Sequence, residues 1–486
     1  MRIQSLRHLE NERFYYTLPI LNADAILKVF RVQNPDLTHI SFNSKFVESR
    51  YLVVLFNSPI KFIKEASKKS VYVFHNNSKL KKGYCSLLSR SSLVKIKHAV
   101  VNDITRHFKI LGVTGTKGKT TTAWFAYQML KKIGFNPAYI GTLGVVFERF
   151  RISTRNTTPS LEFILNALVI LRNLNCDSVV IECSSIGLHQ GRLDGIQFDW
   201  IVFTGLGHDH LDYHGTMKKY FQAKELLFGM LKKSKKSERL ALIIGEDRWS
   251  YLLEQKYSKS FKIIKLIPSK LRIIKNSLLV SEFEYNKEKF QTKFFFKHFA
   301  LYALGLLKLL NESSGKKLEI HFLKKLELPE GRFELVGNRV VVDYAHTPES
   351  LQEAILAVKS AVKAPVVVVF GCGGNRDPSK RALMGKAAAT YADYTIITSD
   401  NPRYEDPNTI ADQVAKGLSA GANYEIIIDR KKAIQKGIQK ALELNGYALI
   451  AGKGHEIYQI VGSKRQRFDD RQVARSFLKH ASIHPK

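Results

Sequence analysis

The segment from Thr114 to Thr121 contains residue types that bind nucleotide phosphates. It reads Thr-Gly-Thr-Lys-Gly-Lys-Thr-Thr, follows the apolar run 110–114 and opens a helical pattern. Such a loop directs backbone N–H groups and the start of a helix at phosphate oxygens, while Lys119 neutralises their charge and Thr120 is placed to ligate Mg²⁺. The strict P-loop spacing is not met, because Gly112 falls one residue too early. The strand–loop–helix context nevertheless predicts phosphate binding.

A carboxylate and three histidines follow two other apolar runs of the chain. Glu182 ends one run, and His208, His210 and His214 come after the next. In an open parallel sheet ligands bind at the carboxyl ends of the strands, so we expect these side chains near the phosphate loop, where Glu182 and one histidine could share magnesium chemistry. Three nearby histidines would also suit zinc, although no cysteine accompanies them. A loop capped by Asp and His side chains is the alternative without metal.

Two series of apolar runs, each followed by helical periodicity, are typical of parallel βαβ units. The first comprises 110–114, 178–182, 200–204 and 240–244, and the second 339–343, 366–370, 395–398 and 447–451. Shorter runs at 51–56 and 71–74 precede them. We therefore predict an α/β protein of three domains. They are a small N-terminal α/β domain (1–105), a central domain with a P-loop-type doubly wound parallel sheet (106–328) and a C-terminal Rossmann-like α/β domain (329–486).

The composition is that of a folded globular protein. Of 486 residues, 45% are hydrophobic and 24% are charged. No run reaches the roughly 20 apolar residues of a membrane-spanning helix, and residues 1–14 lack the apolar core of a secretory signal. The four cysteines show no Cys-x-x-Cys spacing, which disfavours a disulfide framework and a structural zinc site. We expect a cytoplasmic protein without a membrane span.

The chain carries a net charge of +33, from 76 Lys and Arg against 43 Asp and Glu. Such a field attracts polyanions, including nucleic acid, anionic membranes and phosphorylated substrates. The basic residues are spread out, however, and the densest stretch, 231–275, interleaves them with Leu, Ile and Tyr as amphipathic structure does. A lysine-rich composition without a functional role is the alternative to a polyanion site, the sequence leaves the cause of the charge open, and we expect no specific nucleic-acid partner.

Eleven short motifs occur in an order that resembles the Mur ligase family, from about residue 108 to the end of the chain. They are Gly115-Thr-Lys-Gly-Lys-Thr-Thr121, Asn156-Thr-Thr-Pro159, Glu182-Cys-Ser-Ser185, Asp209-His-Leu-Asp-Tyr-His-Gly-Thr216, Tyr220-Phe-Gln-Ala-Lys224, Gly331-Arg-Phe-Glu334, Val342-Asp-Tyr-Ala-His-Thr-Pro348, Phe370-Gly-Cys-Gly-Gly-Asn-Arg-Asp377, Ser399-Asp-Asn-Pro-Arg403, Ala451-Gly-Lys-Gly-His-Glu456 and Phe468-Asp-Asp-Arg471. They are most similar to those of the member that adds the third peptide residue in peptidoglycan precursor synthesis. The resemblance implies an ATP-dependent, ADP-forming ligase that joins meso-diaminopimelate to UDP-MurNAc-L-Ala-D-Glu through an acyl phosphate.

The resemblance also implies which residues bind ATP and metal. ATP would contact the phosphate loop and three later residues, namely Gly115, Thr116, Lys117, Gly118, Lys119, Thr120, Thr121, Tyr302, Arg332 and Asp343. The catalytic residues would be Lys119, Glu182, His210 and Lys224, and two Mg²⁺ ions would be held by Thr120, Glu182, His210 and a carbamylated Lys224. A carbamate offers the hard anionic oxygens that Mg²⁺ prefers. On composition alone, Lys224 would instead be a solvated surface lysine.

The substrate contacts follow from the same resemblance. The UDP-muramoyl dipeptide would be bound by Ser44, Thr157, Thr158, Ser184 and Arg192. Diaminopimelate would be bound by Arg376, Asp400, Asn401, Pro402, Arg403, Gly452 and Glu456. Arg403 indicates selectivity, because diaminopimelate has a side-chain carboxylate that lysine lacks and a guanidinium binds carboxylate through two charge-assisted hydrogen bonds.

Some positions depart from the family pattern. The amino-terminal Asp-Ser-Arg of the family reads Asn43-Ser44-Lys45 here, and Tyr302 replaces an Asn that contacts adenine, where it could stack on the base. Two alternatives therefore stay open: a family ligase with another amine substrate, or a non-catalytic protein that keeps the fold as a scaffold. The retained catalytic side chains favour an active enzyme, which we expect to be a monomer.

Overall fold

The computed structural model describes residues 101–313, 315 and 317–483, and before them the backbone of four short strands. These strands are β1 (Thr17–Pro19), β2 (His39–Ser41), β3 (Tyr51–Leu55) and β4 (Tyr72–His75). They form one mixed sheet in the order β1-β2-β3-β4, in which β2, β3 and β4 are parallel. The chain divides into two units. The first runs to Pro268 and includes Leu301–Glu319, and the second comprises Ser269–Ala300 and the residues from Ile320 onward.

An eight-stranded sheet forms the centre of the first unit. Its strands are β5 (Lys109–Thr114), β6 (Pro137–Gly141), β7 (Gly144–Phe147), β8 (Phe150–Ile152), β9 (Ser178–Glu182), β10 (Trp200–Phe203), β11 (Leu240–Ile244) and β12 (Lys262–Leu266). The order is β12-β11-β10-β5-β9-β6-β7-β8, and all neighbours from β12 to β6 are parallel. Strands β5, β9, β10 and β11 are almost wholly buried, as parallel strands covered on both faces are. The phosphate loop follows β5, which lies between β9 and β10.

The helices that accompany this sheet begin at local signals. They span Lys119–Lys132, Leu161–Asn173, Ser185–His189, Leu211–His214, Met217–Lys233, Arg248–Tyr257 and Lys297–Ser313. The helix Met217–Lys233 starts where Thr216 accepts a hydrogen bond from the backbone N–H of Lys219, and Ser160 caps Leu161–Asn173 in the same way. Apolar side chains of the helices and strands form one buried core, which includes Phe163 and Phe228.

The second unit contains a six-stranded sheet with the order β16-β17-β21-β18-β19-β20. All its neighbouring strands are parallel except β16. The strands of this unit are β13 (Leu271–Lys275), β14 (Ser281–Tyr285), β15 (Glu288–Thr292), β16 (Glu334–Val336), β17 (Val340–Asp343), β18 (Val366–Phe370), β19 (Tyr394–Ile397), β20 (Tyr424–Ile426), β21 (Tyr447–Ala451), β22 (Tyr458–Val461) and β23 (Lys464–Arg467). Its helices span Pro348–Val362, Ser379–Tyr391, Pro407–Ala415, Arg430–Glu443 and Asp470–Ile483.

The predicted α/β class is confirmed, with a central sheet that is parallel from β12 to β6 and antiparallel at β7 and β8, and with a second, Rossmann-like sheet. The eight predicted apolar strands all form, within one residue at each end. The antiparallel sheet β13–β15 belongs to neither predicted series. The domain limits at residues 105 and 328 stay predictions. Across the residues that the structure describes, no helix combines the length and apolar character needed to cross a membrane.

Candidate active site

The phosphate loop is held in shape by its own lysine and by the neighbouring strand β10. The Nζ of Lys119 donates to the carbonyl oxygens of Gly115 and Thr116, both at 2.9 Å. Gly118 has a φ of 81°, in the left-handed region, and serves as the N-cap of the helix Lys119–Lys132. The hydroxyl of Thr204 donates to the carbonyl of Lys117 at 2.6 Å. The start of this helix, with Lys119 beside it, is therefore available to an anion.

Thr120 and Glu182 form a buried pair of hard oxygen donors. The Thr120 hydroxyl donates to Oε2 of Glu182 at 2.9 Å, and Glu182 is fully buried at the end of β9. Its Oε1 accepts hydrogen bonds from the Tyr139 hydroxyl and, at 2.9 Å, from the backbone N–H of Thr142. A hydroxyl and a carboxylate side by side suit Mg²⁺, which prefers oxygen ligands. Within the described ranges, no three His, Cys, Asp or Glu side chains gather into a group that could hold a metal ion.

Lys224 is buried beside the phosphate loop, in contrast to the solvated lysine that composition alone favours. Its side chain is 1% exposed, and its Nζ donates to the carbonyl of Gly115 at 2.7 Å. The Nζ also lies 4.4 Å from the ring centre of Tyr220, one helical turn earlier. Burial, reinforced by the charge of Lys119, holds the pKa of Lys224 well below its usual range. These surroundings therefore disfavour the charged form of the amine relative to that of an exposed lysine.

The three histidines occupy different environments. His210 is exposed, has a left-handed φ of 51°, and its ring centre lies 6.2 Å from that of Tyr220. His210 and Lys224 thus approach the same tyrosine. His214 is buried, with Nε2 3.1 Å from the hydroxyl of Ser185, and burial lowers its pKa. His208 is exposed. His210 thus combines exposure with a position beside Tyr220, whose ring the buried His214 also approaches, at 5.2 Å between ring centres.

The residues predicted to contact the muramoyl dipeptide are brought together at the end of β9. Thr158 donates to the backbone carbonyl of Glu182 at 2.8 Å, and its hydroxyl lies 2.9 Å from that of Ser184. Arg192 donates to the carbonyl of Thr158 at 2.8 Å. Thr157 reaches the same place through Thr142, with their hydroxyls 3.1 Å apart. Ser44 lies outside the described residues.

Tyr302 packs against the phosphate loop. A Cβ built on Gly118 would lie 2.4 Å from the Tyr302 ring, so the side chain that replaces the family's Asn occupies the space directly beside this glycine. Gly115 is crowded in the same way, because a Cβ there would lie 1.9 Å from the hydroxyl of Thr204. Both positions therefore require glycine for close approach.

In the second unit, Arg332 and Asp343 lie together at the end of β17. Asp343 is buried and accepts backbone N–H bonds from Phe333 and Ala345, each at 3.0 Å. Burial raises the pKa of Asp343, although Arg332 opposes the shift. The Arg332 guanidinium lies over the ring of Tyr344, with 4.6 Å between the guanidinium carbon and the ring centre. Its buried Nε has no hydrogen-bond partner among the described residues, so this side chain can accommodate a bound acceptor.

The predicted diaminopimelate residues meet at the carboxyl ends of β19 and β21. The Asn401 amide donates to Oε2 of Glu456 at 2.9 Å, and a Cβ on Gly452 would lie 2.8 Å from a carboxylate oxygen of Asp400. Arg403 donates from Nη1 to the carbonyl of Gly374 at 2.7 Å. Pro402 is buried, whereas Arg376 is exposed on the adjacent loop. The cluster contains two carboxylates, those of Asp400 and Glu456, and two guanidinium groups, those of Arg376 and Arg403.

Two family models match the chain. The model described as Mur ligase middle domain matches residues 113–308, and the one described as Mur ligase, glutamate ligase domain matches residues 331–454. The UDP-N-acetylmuramoyl-L-alanyl-D-glutamate–2,6-diaminopimelate ligase of Bacillus cereus is 37% identical over 389 residues, which cover 77% of this chain and 79% of that relative. The chain belongs to the Mur ligase family.

Two further comparisons of this Mur ligase extend over nearly the whole chain. The UDP-N-acetylmuramoyl-L-alanyl-D-glutamate–2,6-diaminopimelate ligase 2 of Clostridium acetobutylicum is 31% identical to this chain. The matched region covers 92% of this chain and 96% of that relative. A solved structure of a UDP-N-acetylmuramoyl-L-alanyl-D-glutamate–2,6-diaminopimelate ligase is 28% identical with a TM-score of 0.67. It covers 94% of this chain and 99% of its own, so the three-domain architecture of this family holds for the chain.

Three site residues of this Mur ligase were not predicted from the sequence. Tyr139 and Thr142 contact Glu182 from the end of β6, the strand that pairs with β9. Lys453 is fully buried and donates to Oε2 of Glu456 at 3.1 Å and to the side-chain oxygen of Asn401 at 3.3 Å. Lys453 could have been predicted, because it lies within the Gly-Lys-Gly-His-Glu motif. The contact between Tyr139 and Glu182 could not, because no sequence pattern near Tyr139 indicates it.

Proposed function

We propose that this Mur ligase joins meso-diaminopimelate to the D-glutamate of UDP-MurNAc-L-Ala-D-Glu in an ATP-dependent, ADP-forming reaction of peptidoglycan precursor synthesis. The observation that carries the proposal is the cluster of Asn401, Arg403 and Glu456. It offers a carboxylate to an ammonium group and a guanidinium to a carboxylate, as a diamino dicarboxylic acid requires. The names of the relatives support the same pair of substrates.

ATP is proposed to bind at the phosphate loop, with Arg332 and Asp343 as further contacts. The helix start at Gly118 and the Lys119 ammonium are suited to the β- and γ-phosphates. Thr120 and Glu182 would hold one Mg²⁺, and His210 with carbamylated Lys224 a second. When bound, Mg²⁺ neutralises charge that develops on the transferring phosphoryl group.

Carbamylation of Lys224 is supported by its environment. A neutral amine can form a bond from Nζ to the carbon of CO₂ with release of one proton, and burial of Lys224 favours the neutral amine. The product is an anion, which would relieve the like-charge contact with Lys119. The Gly115 carbonyl, 2.7 Å from Nζ, could accept the remaining N–H of the carbamate.

The chemistry then follows two steps. A γ-carboxylate oxygen of D-glutamate attacks the γ-phosphorus of ATP, and the bond to the β-phosphate oxygen breaks, giving ADP and an acyl phosphate. The neutral amine of diaminopimelate then attacks the acyl carbon, and phosphate leaves as the amine loses a proton. Lys119 stabilises charge in the first step, while Arg403 and Glu456 orient the amine for the second.

The test is ADP formation by the purified protein with each combination of substrates. We expect turnover only when ATP, UDP-MurNAc-L-Ala-D-Glu and meso-diaminopimelate are all present, with the tripeptide product identified by mass. L-Lysine and D-glutamate in place of diaminopimelate serve as controls. Turnover with another amine would support a different family ligase. No turnover under any combination, while thermal unfolding shows a folded protein, would support the scaffold alternative.

We also propose that the enzyme acts as a monomer in the cytoplasm.

A further inference from the structure

Two adjacent loops of the second unit carry Arg376 and Arg403. One loop, 371–378, follows β18, and the other, 399–406, follows β19. Because β18 and β19 are paired in parallel from Val367–Tyr394 to Phe370–Ile397, both loops leave the same edge of the sheet. The distance between the two guanidinium groups therefore depends on how the loops are joined beyond the strands.

Glu405 joins these loops through one carboxylate. Its Oε1 accepts a hydrogen bond from the backbone N–H of Asn375, in the first loop. Both oxygens also pair with the guanidinium of Arg381, at 2.8 and 3.0 Å. Arg381 is 1% exposed and donates further to the side chain of Gln413 at 2.6 Å and to the carbonyl of Gly373 at 3.3 Å. The only carboxylate paired with this buried guanidinium in the described residues is that of Glu405.

The loops also leave no room for adjustment. A Cβ on Gly374 would lie 1.9 Å from the carbonyl of Pro402, and the N–H of Gly374 donates to the carbonyl of Asn401 at 3.0 Å. Asn375 and Arg403 both have left-handed φ values, of 50° and 53°. Asn adopts this conformation readily, whereas in an arginine such as Arg403 it persists only where surrounding contacts enforce it. Loss of the Glu405 carboxylate is therefore expected to shift the two loops relative to each other, although the bonds from Gly374 to Asn401 and from Tyr404 to Asn375 remain.

We infer that the Glu405–Arg381 pair positions Arg376 and Arg403 and thereby sets the selectivity for an amine substrate with a second carboxylate. This inference rests on the proposed function. Neither member of the pair needs to touch the substrate, so both are positioning residues. Their effect should appear in amine recognition and not in ATP binding, because neither loop contains a residue that is proposed to contact ATP.

The test is Glu405→Gln, which keeps the size of the side chain but leaves Arg381 without a counter-charge. We expect the KM for meso-diaminopimelate to rise about tenfold or more, and the preference for diaminopimelate over L-lysine to fall by a similar factor. The KM for ATP should stay within about twofold of the unmodified value. Arg381→Lys, which keeps the charge but loses the fork geometry, is the second variant if Glu405→Gln does not fold.

Asp393 provides a matched control at the opposite ends of the same strands. Its carboxylate pairs with Lys359 at 3.0 Å and accepts a hydrogen bond from the backbone N–H of Val366 at 2.7 Å. Glu405 likewise pairs with one basic side chain, Arg381, and accepts one backbone N–H, that of Asn375. Asp393→Asn should lower thermal stability without changing amine selectivity.

If the unmodified protein uses diaminopimelate but both Glu405→Gln and Arg381→Lys keep its KM and selectivity, the inference is wrong while the proposed function stands. If the unmodified protein shows no turnover with diaminopimelate, both are wrong.

Discussion

At the scale of single residues, Lys224 has an environment that is unusual for a lysine, because its side chain is buried. A lysine in a lysine-rich chain normally keeps its ammonium in water. This one is buried with its amine against a carbonyl and a tyrosine ring, where the charge of Lys119 also acts on it. Burial of an unmodified cation at this position would cost free energy with no evident return. The proposed carbamylation would convert this side chain into an anion with the hard oxygens that Mg²⁺ prefers.

Lys224→Ala should therefore reduce kcat by orders of magnitude, with small changes in KM, because the lost anion acts on the chemical step. Acetate or formate should restore part of the activity by occupying the vacated position. Lys218→Ala, an exposed lysine on the same helix, is the control and should be neutral. Near-normal turnover of Lys224→Ala, or an unmodified amine in fully active enzyme by intact mass, would remove Lys224 from the site.

Arg403 should determine which amine is accepted. An unpaired carboxylate in a closed pocket costs a few kcal/mol, which corresponds to about a hundredfold preference or more. Arg403→Ala should raise the KM for diaminopimelate far more than the KM for ATP, as measured by ADP release. Arg467→Ala, on the exposed strand β23, is the matched control. Equal use of L-lysine and diaminopimelate by the unmodified enzyme would contradict the assignment.

At the scale of elements, the phosphate loop depends on a left-handed glycine pressed against a tyrosine. Gly118 and Gly421 have nearly the same φ, 81° and 83°, but a Cβ would meet Tyr302 at Gly118 and nothing within 4 Å at Gly421. A side chain at either position would carry the backbone strain of the left-handed region. Only at Gly118 would it also clash with a neighbouring side chain, so the two positions separate backbone strain from steric conflict.

Both Gly118→Ala and Gly421→Ala should destabilise the fold by about 1 kcal/mol through the left-handed backbone, as seen by thermal unfolding. Only Gly118→Ala should also raise the KM for ATP, by about tenfold or more, because Tyr302 or the loop must move. Equal KM values for ATP in the two variants would show that the Tyr302 contact does not shape the nucleotide site.

At the scale of the whole molecule, the net charge of +33 calls for a test of its own. A nucleic-acid site would bind tightly at ~0.1 M salt, with an affinity that falls by about one log unit per log unit of salt for each phosphate contacted. We expect only weak, salt-labile association that does not depend on sequence, measured by fluorescence anisotropy with labelled duplex and single-stranded oligonucleotides. A sub-micromolar complex at physiological salt would contradict this expectation.

Membership of the Mur ligase family and the α/β architecture could be predicted from the sequence, because both rest on contiguous signals. The phosphate loop is a single run between a strand and a helix, and buried parallel strands such as Val366–Phe370 are apolar throughout. Their ends were predicted to within a residue. The order of the family motifs along the chain then indicated the Mur ligase family.

The surroundings of the side chains were decided only by the tertiary structure. Tyr139 meets Glu182 across 43 residues because β6 pairs with β9, and Lys224 meets Gly115 across 109 residues because its helix packs beside the phosphate loop. Glu405 reaches Asn375 only because β18 and β19 are neighbours. Local sequence encodes periodicity and turn chemistry, which determine the elements. Burial, pKa and the partners of a charge depend on which elements become neighbours, and that choice is made by the packing of the whole core.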